Sequence, residues 1–241
     1  MNKYKVTIFN LPEAEVELHE NFLENNLADQ YFKYFSENIK WKQESMNLYG
    51  KQVNYARLMS WYGEEGKSYR FSGKTQFPNN WNNEKNIINI KNELEGLSGE
   101  KLNSVLLNKY RNENDSISWH SDDEKELGDE PSIYSYSLGC SRIFKLKRKD
   151  SISFPDPLSI AEQSELFGST NQKTISTCSI NLNHNSLLIM RGKTQEKWLH
   201  AIDKVPMTTQ TGNITDKYKK LKEDKYYPTR INMTFRYIKN N

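Results

Sequence analysis

The stretch 230–238 alternates without a break. Arg230, Asn232, Thr234, Arg236 and Ile238 fall on one side of an extended chain, and Ile231, Met233, Phe235 and Tyr237 on the other. Such a strand needs an apolar layer behind it and something polar in front. The plain reading is an edge strand with a solvated face. Two features tilt against it. The polar side holds no Lys or Glu, and it sets two guanidinium groups and two hydrogen-bonding groups in a row, as a pocket for a dicarboxylate requires. A matching side occurs in 104–111, where Leu106, Asn108 and Tyr110 share parity.

The rest of the second half has the same texture. Residues 104–111, 133–147, 174–182, 186–190 and 230–238 suit strands separated by polar, turn-rich connections. The first half differs. Phe22, Leu23, Leu27, Tyr31, Phe32, Phe35 and Ile39 recur at helical spacing over 20–40, which would put His19 on that helix. A second helix fits 84–97, with Gly99 just past its end. Short strands broken at 63–66 fit 53–71. Helices followed by many strands predict an α+β domain whose body is a β-sandwich. Hydrophobic residues are only 35 %, so surface and loop are extensive, and the 12 % aromatics supply much of the core. Segments 150–173 and 204–229 are expected to be irregular, as lids or insertions.

Three residues carry a second pattern: His120-Ser121-Asp122, and later His200. Alternate residues of an extended segment share a face, so His120 and Asp122 can share one ion, with His200 arriving from a distant strand. Two imidazoles and a carboxylate that leave positions open suit Fe(II) better than a closed zinc site. The ordinary alternative is a chance tripeptide and a packed histidine. His184 and His19 are expected to be structural or exposed. Cys140 and Cys178 lack metal-ligand spacing and suit reduced thiols.

Taken together, Asn108-Lys109-Tyr110, Trp119 to Glu124, Ser135 to Phe144, Trp198-Leu199-His200 and Arg230 to Arg236 resemble the AlkB family of Fe(II)/2-oxoglutarate dioxygenases, in order and over most of the chain. The resemblance implies a double-stranded β-helix (jelly-roll) core with the N-terminal helices packed on the sheet. It implies His120, Asp122 and His200 as iron ligands. Asn108, Tyr110, Arg230, Thr234 and Arg236 would hold 2-oxoglutarate, with Asn232 nearby and Arg230 on the distal carboxylate. O2 and 2-oxoglutarate would then drive hydroxylation of an N-alkyl carbon, releasing formaldehyde, succinate and CO2. The one chain would divide into an N-terminal strand/helix extension (1–45), a nucleotide-recognition region (46–100) and the jelly-roll catalytic core (101–241).

Residues 68–73 resemble the segment by which the nucleic-acid repair branch covers a damaged base. Tyr69 and Phe71 would hold the extruded base, and the carboxylates of Asp123 and Glu124 would suit a cationic ring such as 1-methyladenine or 3-methylcytosine. Strand packing is the alternative for Tyr69 and Phe71. Tyr49, before Gly50, falls where duplex-active members carry a wedge; an exposed turn tyrosine is the alternative. Arg142, Lys145, Lys147, Arg148 and Lys149, with the lysines of 217–225, would meet phosphates. Ala56-Arg57 stands where the family commonly has Pro-Arg. The expected partner is alkylated DNA, with RNA as the second substrate class. A metal-stabilised nucleic-acid-binding module without turnover is the non-enzymatic alternative. No long apolar run or signal core is present, so a soluble, intracellular monomer is expected, cytoplasmic in a prokaryote or nuclear in a eukaryote.

Overall fold

A computed structural model describes residues 5–67, 69–71, 74–150, 175–209 and 211–239. The chain opens with a hairpin, β1 (Lys5–Leu11) and β2 (Ala14–Glu20), followed by α1 (Asn25–Asn38). Then come β3 (Ser45–Leu48), β4 (Lys51–Asn54), β5 (Leu58–Gly63), β6 (Tyr69–Phe71), β7 (Lys74–Gln76), β8 (Asn79–Asn80) and α2 (Lys85–Ser98). The second half holds β9 (Ser104–Tyr110), β10 (Ile117–His120), β11 (Ile133–Gly139), β12 (Arg142–Arg148), β13 (Thr177–Leu182) and β14 (Ser186–Arg191). A single turn, α3 (Thr194–Lys197), leads into β15 (Trp198–Ile202). The last elements are α4 (Asp216–Lys222) and β16 (Arg230–Arg236).

The strands form two main sheets. The major one runs β1-β2-β14-β11-β16-β9-β5-β8, and the minor one β10-β15-β12-β13. This is the expected jelly-roll body of an α+β fold. The alternation of β16 decides how the layers stack. Ile231, Met233 and Phe235 join Ala28, Tyr31 and Phe35 of α1 and Ile87, Ile90 and Leu94 of α2 in one apolar core, which binds the helices to the outer face of the major sheet. A second core joins Ile133, Leu188 and Met190 of that sheet to Phe144, Leu146, Ile180 and Ile202 of the minor sheet. Arg230, Asn232, Thr234 and Arg236 have the parity opposite to the helix-facing residues, and all are buried.

The register widens that polar row. Arg230 lies between Tyr110 and Gly139, Asn232 between Asn108 and Ser137, and Thr234 between Leu106 and Ser135. Gly139 closes β11 at φ 88°, and a Cβ there would meet a Phe32 ring carbon and the Thr229 carbonyl oxygen at 2.4 Å. Only glycine fits this corner.

Three expectations change. Residues 14–20 alternate rather than repeat at helical spacing, so they form β2, with Val16 and Leu18 in the inter-sheet core; His19 lies on that strand, not on a helix. The 133–147 stretch breaks at Cys140-Ser141 into two strands that belong to different sheets. Within 204–229, residues 216–222 are helical, capped by Thr215 Oγ1, which accepts from Tyr218 N. Residues 151–173 lie outside the described residues.

Asn185 ties α1 to the major sheet. It is fully buried at φ 60°, a conformation asparagine tolerates. Its Oδ1 accepts from Leu23 N at 3.0 Å and Tyr136 Oη at 2.9 Å, and its Nδ2 donates to Leu23 O at 2.7 Å. Its Nδ2 also donates to Asn25 Oδ1, at the start of α1, at 2.9 Å, so Asn185→Ala strands four partner atoms. We expect a loss of about 3 kcal/mol, read as a lowered urea midpoint at unchanged m-value; a loss under about 1 kcal/mol would show that the tether is dispensable.

Candidate active site

β10 and β15 bring the two histidines together. The strands pair antiparallel with an irregularity between Ile117 and His120, after which His120 lies opposite His200. Their ring centroids are 4.2 Å apart. Asp122 follows in the loop after β10. One ligand atom from each of His120, Asp122 and His200 lies within 4.8 Å of the others.

The protonation states suit a metal. Nδ1 of His120 lies 2.8 Å from the Ser118 carbonyl, which can only accept. The proton therefore sits on Nδ1, and Nε2 keeps its lone pair for an ion. His200 is buried, and burial, with His120 beside it, pushes its pKa down to about 3, so the ring is neutral. Phe144 stacks on it with 5.2 Å between centroids. Burial drives the Asp122 carboxyl up, but the Arg236 guanidinium beside it outweighs that and holds the group near 2. Asp122 is thus ionised. Its Oδ2 accepts from Arg236 Nη2 at 2.9 Å, and its Oδ1 lies 4.0 Å from His120 Nε2. One carboxylate oxygen is committed to the guanidinium and the other faces the histidines.

The same cavity takes in Asn108, Tyr110, Arg230, Asn232, Thr234 and Arg236. The sequence parity therefore places all six around one space. Arg230 is 2 % exposed. Its Nη2 donates to Ser137 Oγ at 3.0 Å, and its guanidinium lies over the Tyr110 ring. Nε and Nη1 are buried without a partner. Burial lowers its pKa to about 10, which leaves it cationic at neutral pH. Asn232 donates to Ser135 Oγ at 2.8 Å and accepts from Thr234 Oγ1 at 3.0 Å.

Several contributors escaped the sequence reading. Arg57, which keeps the arginine of the family's Pro-Arg while Ala56 departs from it, had no role in that reading; it is buried, lines the cavity and donates from Nε to Asn108 Oδ1 at 2.8 Å. Ser135 and Ser137 brace Asn232 and Arg230, and the β11 alternation could have revealed them. The paired carboxylates part company. Glu124 lines the cavity, whereas Asp123 is exposed and bound by Ser121 Oγ at 2.7 Å and Lys149 Nζ at 3.2 Å. Tyr49 is 97 % exposed at the tip of the β3–β4 hairpin. Tyr69 and Phe71 fall in β6, and their side chains lie outside the described residues.

The expected basic grip on β12 is mostly consumed internally. Arg142 is buried and donates to the carbonyls of Asn112, Asp115 and Asp203. Arg148 is buried against Glu13 and Asp150. Lys145 pairs with Asp203, and Lys147 lies 4.4 Å above the Trp119 ring. Both arginines share parity with Phe144 and Leu146, so they point inward with them. On α4, Lys217, Lys219, Lys220 and Lys222 remain exposed.

Comparison with known proteins gives this arrangement a family. The 2OG-Fe(II) oxygenase superfamily matches residues 15–236. Alpha-ketoglutarate-dependent dioxygenase alkB homolog 3 of Bos taurus is 33% identical over 202 residues, covering 83% of this chain and 64% of that protein. DNA oxidative demethylase ALKBH2 of Arabidopsis thaliana is 30% identical over 224 residues, covering 91% and 65%. The chain thus spans just under two thirds of the length of these relatives. The solved structure of OsALKBH1 shares the fold, with a TM-score of 0.51 at 15% identity over 95% of this chain and 99% of that one. Because the family match runs from β2 to the end of β16, the chain belongs to the 2OG-Fe(II) oxygenases, whose cofactors are Fe(II), 2-oxoglutarate and O2, and the relatives it resembles carry AlkB-type names.

Proposed function

We propose that the protein is an Fe(II)/2-oxoglutarate-dependent oxidative demethylase of N-alkylated bases in DNA, of the 1-methyladenine or 3-methylcytosine type. The observation that carries this reading is Arg230. A cation buried among strands is costly unless an anion meets it. Arg230 keeps two unmatched donors in the cavity that also holds the metal-ligand set. A dicarboxylate that reaches from that guanidinium toward a metal satisfies both ends, which is the shape of 2-oxoglutarate. The donor set fits iron for the same reason: two imidazoles and one carboxylate oxygen leave room for a chelating co-substrate and O2.

Iron bound there supplies oxygen activation coupled to oxidative decarboxylation of the keto acid to succinate and CO2. The chain does the positioning. His120 Nε2, His200 and Asp122 Oδ1 hold the ion, while Arg236 keeps the second Asp122 oxygen occupied. Arg230, Tyr110 and Asn108 hold the co-substrate, with Arg57 fixing Asn108, and Asn232 and Thr234 complete the wall. Glu124 faces the cavity and favours a cationic base. Asp123, Tyr69 and Phe71 complete the substrate contacts. Hydroxylation of the N-methyl carbon leaves a hemiaminal, whose collapse releases formaldehyde and the restored base. DNA is favoured because a relative 30% identical over 91% of this chain is named a DNA oxidative demethylase.

Residues 46–100 form the nucleotide-recognition region in this reading. Its hairpins β3–β4 and β6–β7 stand as separate two-stranded sheets, apart from the body. The first turns through Tyr49 and Gly50 at φ 50° and 78°, the twist of a two-residue hairpin loop. Holding an aromatic residue there costs about 1 kcal/mol, and it projects Tyr49 beside exposed Leu48 and Val53. That tip is suited to fill the gap left by an extruded base.

The test is succinate and formaldehyde release across methylated DNA and RNA oligonucleotides. Stimulation by 3-methylcytosine or 1-methyladenine DNA is expected. No stimulation by any methylated oligonucleotide defeats the proposal, and turnover on RNA alone moves the substrate to RNA. Arg230→Met removes the buried charge without creating an unmatched one. Its melting temperature should hold or rise, while the Kd for 2-oxoglutarate rises about 100-fold or more; an unchanged Kd by calorimetry would remove Arg230 from the pocket. Tyr49→Ala should slow turnover on duplex several-fold more than on single strands, and equal losses on both would eliminate the wedge.

A further inference from the structure

We propose that Gln195 is a positioning residue that locks the loop carrying Asp122 to the strand carrying His200, and so presets the spacing of the metal ligands. The inference rests on the metal-site reading above. His120 and His200 need no such device, because they lie opposite each other on paired strands. Asp122 lies beyond the end of β10, where no ladder bond is available to its backbone. Its N–H donates instead to Gln195 Oε1 at 2.9 Å, in a buried hydrogen bond. Gln195 is 1 % exposed.

The geometry leaves that amide little freedom. Only the oxygen of Gln195 can accept from Asp122 N, so its Nε2 must point the other way, and it lies 3.5 Å from Met190 Sδ on β14. Gln195 belongs to α3, which is braced from below. Thr194 Oγ1 accepts from Glu15 N at 3.0 Å and donates to Arg191 O at 2.6 Å. The turn is therefore fixed to β2 and β14 before it leads into β15. A second tie runs outside the first. Lys149 Nζ donates to Gln195 O at 2.9 Å and to Asp123 Oδ2 at 3.2 Å.

Asp122 is thus held at both ends. Gln195 anchors its backbone, and Arg236 anchors its Oδ2 at 2.9 Å. Only Oδ1 remains to reach an ion. Without Gln195 the carboxylate would still meet Arg236, but the loop beneath it could shift, and the ordering of the third ligand would fall on the binding of the metal. Groups that orient a ligand from behind are typically worth about 10–100-fold in metal affinity.

The test uses the full chain and Mn(II) alone, with no nucleic acid. Gln195→Leu keeps the volume and removes the acceptor. Its Kd for Mn(II), read by electron paramagnetic resonance, should rise about 10–100-fold, while circular dichroism matches the parent protein. Lys149→Met, which cuts only the outer tie, should raise the Kd less. A folded Gln195→Leu protein that binds Mn(II) within about twofold of the parent overturns the proposal. If that variant does not fold, amide exchange of the parent protein decides. A protected Asp122 amide supports the clamp, and one that exchanges like an exposed loop overturns it. Absence of Mn(II) binding in the parent protein is a separate outcome, and it overturns the metal-site reading on which this one stands.

Discussion

A guanidinium buried without a carboxylate is the constraint around which the fold is arranged. Arg230 sits between two sheets, where a sandwich normally places aliphatic side chains. Polar Asn232, Thr234 and Arg236 share its face, so the centre of the major sheet gains little from burial on that side. The compensation lies behind it. Ile231, Met233 and Phe235 bind to α1 and α2, which makes the helices necessary to the stability of the very strand that carries the pocket. A jelly-roll with a polar interior needs an apolar exterior, and here the N-terminal helices cover it.

The metal-ligand set follows a similar economy. The two histidines are positioned by strand pairing, the stiffest arrangement available. A carbonyl holds the His120 proton on Nδ1, and burial keeps the His200 ring uncharged. The carboxylate is different. It lies in a loop, and its charge is maintained by Arg236 from the far end of β16. That ion pair joins the two halves of the site: the strand that supplies the anion pocket also keeps Asp122 ionised. In the proposed function, the co-substrate wall and the metal ligands cannot be moved independently.

How much of this was legible in the sequence depends on whether the signal was a face or a string. Parity gave the pocket wall on β16 and β9, because alternate residues of a strand share a side whatever surrounds them. It also marked His120 and Asp122 as neighbours. A linear count of charge misled, since it recorded five basic residues near the end of β12 without asking which way each one points. Their own parity, shared with Phe144 and Leu146, turns Arg142 and Arg148 inward. The N-terminal hairpin was hidden for a related reason. Glu15, Glu17 and Glu20 around Val16 and Leu18 make an alternating strand look like a charged surface, and the helical pattern of the residues after it masked the change of period. Gln195 and Arg57 were beyond reach, because their partners lie far away in sequence, whereas the β11 serines were open to the same parity argument as β16.

The non-enzymatic alternative, a nucleic-acid-binding module stabilised by a metal, asks for a different site. A structural metal is usually enclosed by four protein ligands, and it contributes to folding by closing that shell. Here the cluster found among the described residues offers three, beside an apolar core that joins the two sheets. A binding module would also have no reason to keep Arg230 cationic in its interior with Nε and Nη1 unmatched, since a Met or Leu there would be more stable. The cost of that arginine is recovered only when an anion arrives from outside. A cavity that keeps a buried positive charge for a small dianion, and places it beside an open metal-ligand set, is organised for a co-substrate that comes and goes, and so for turnover.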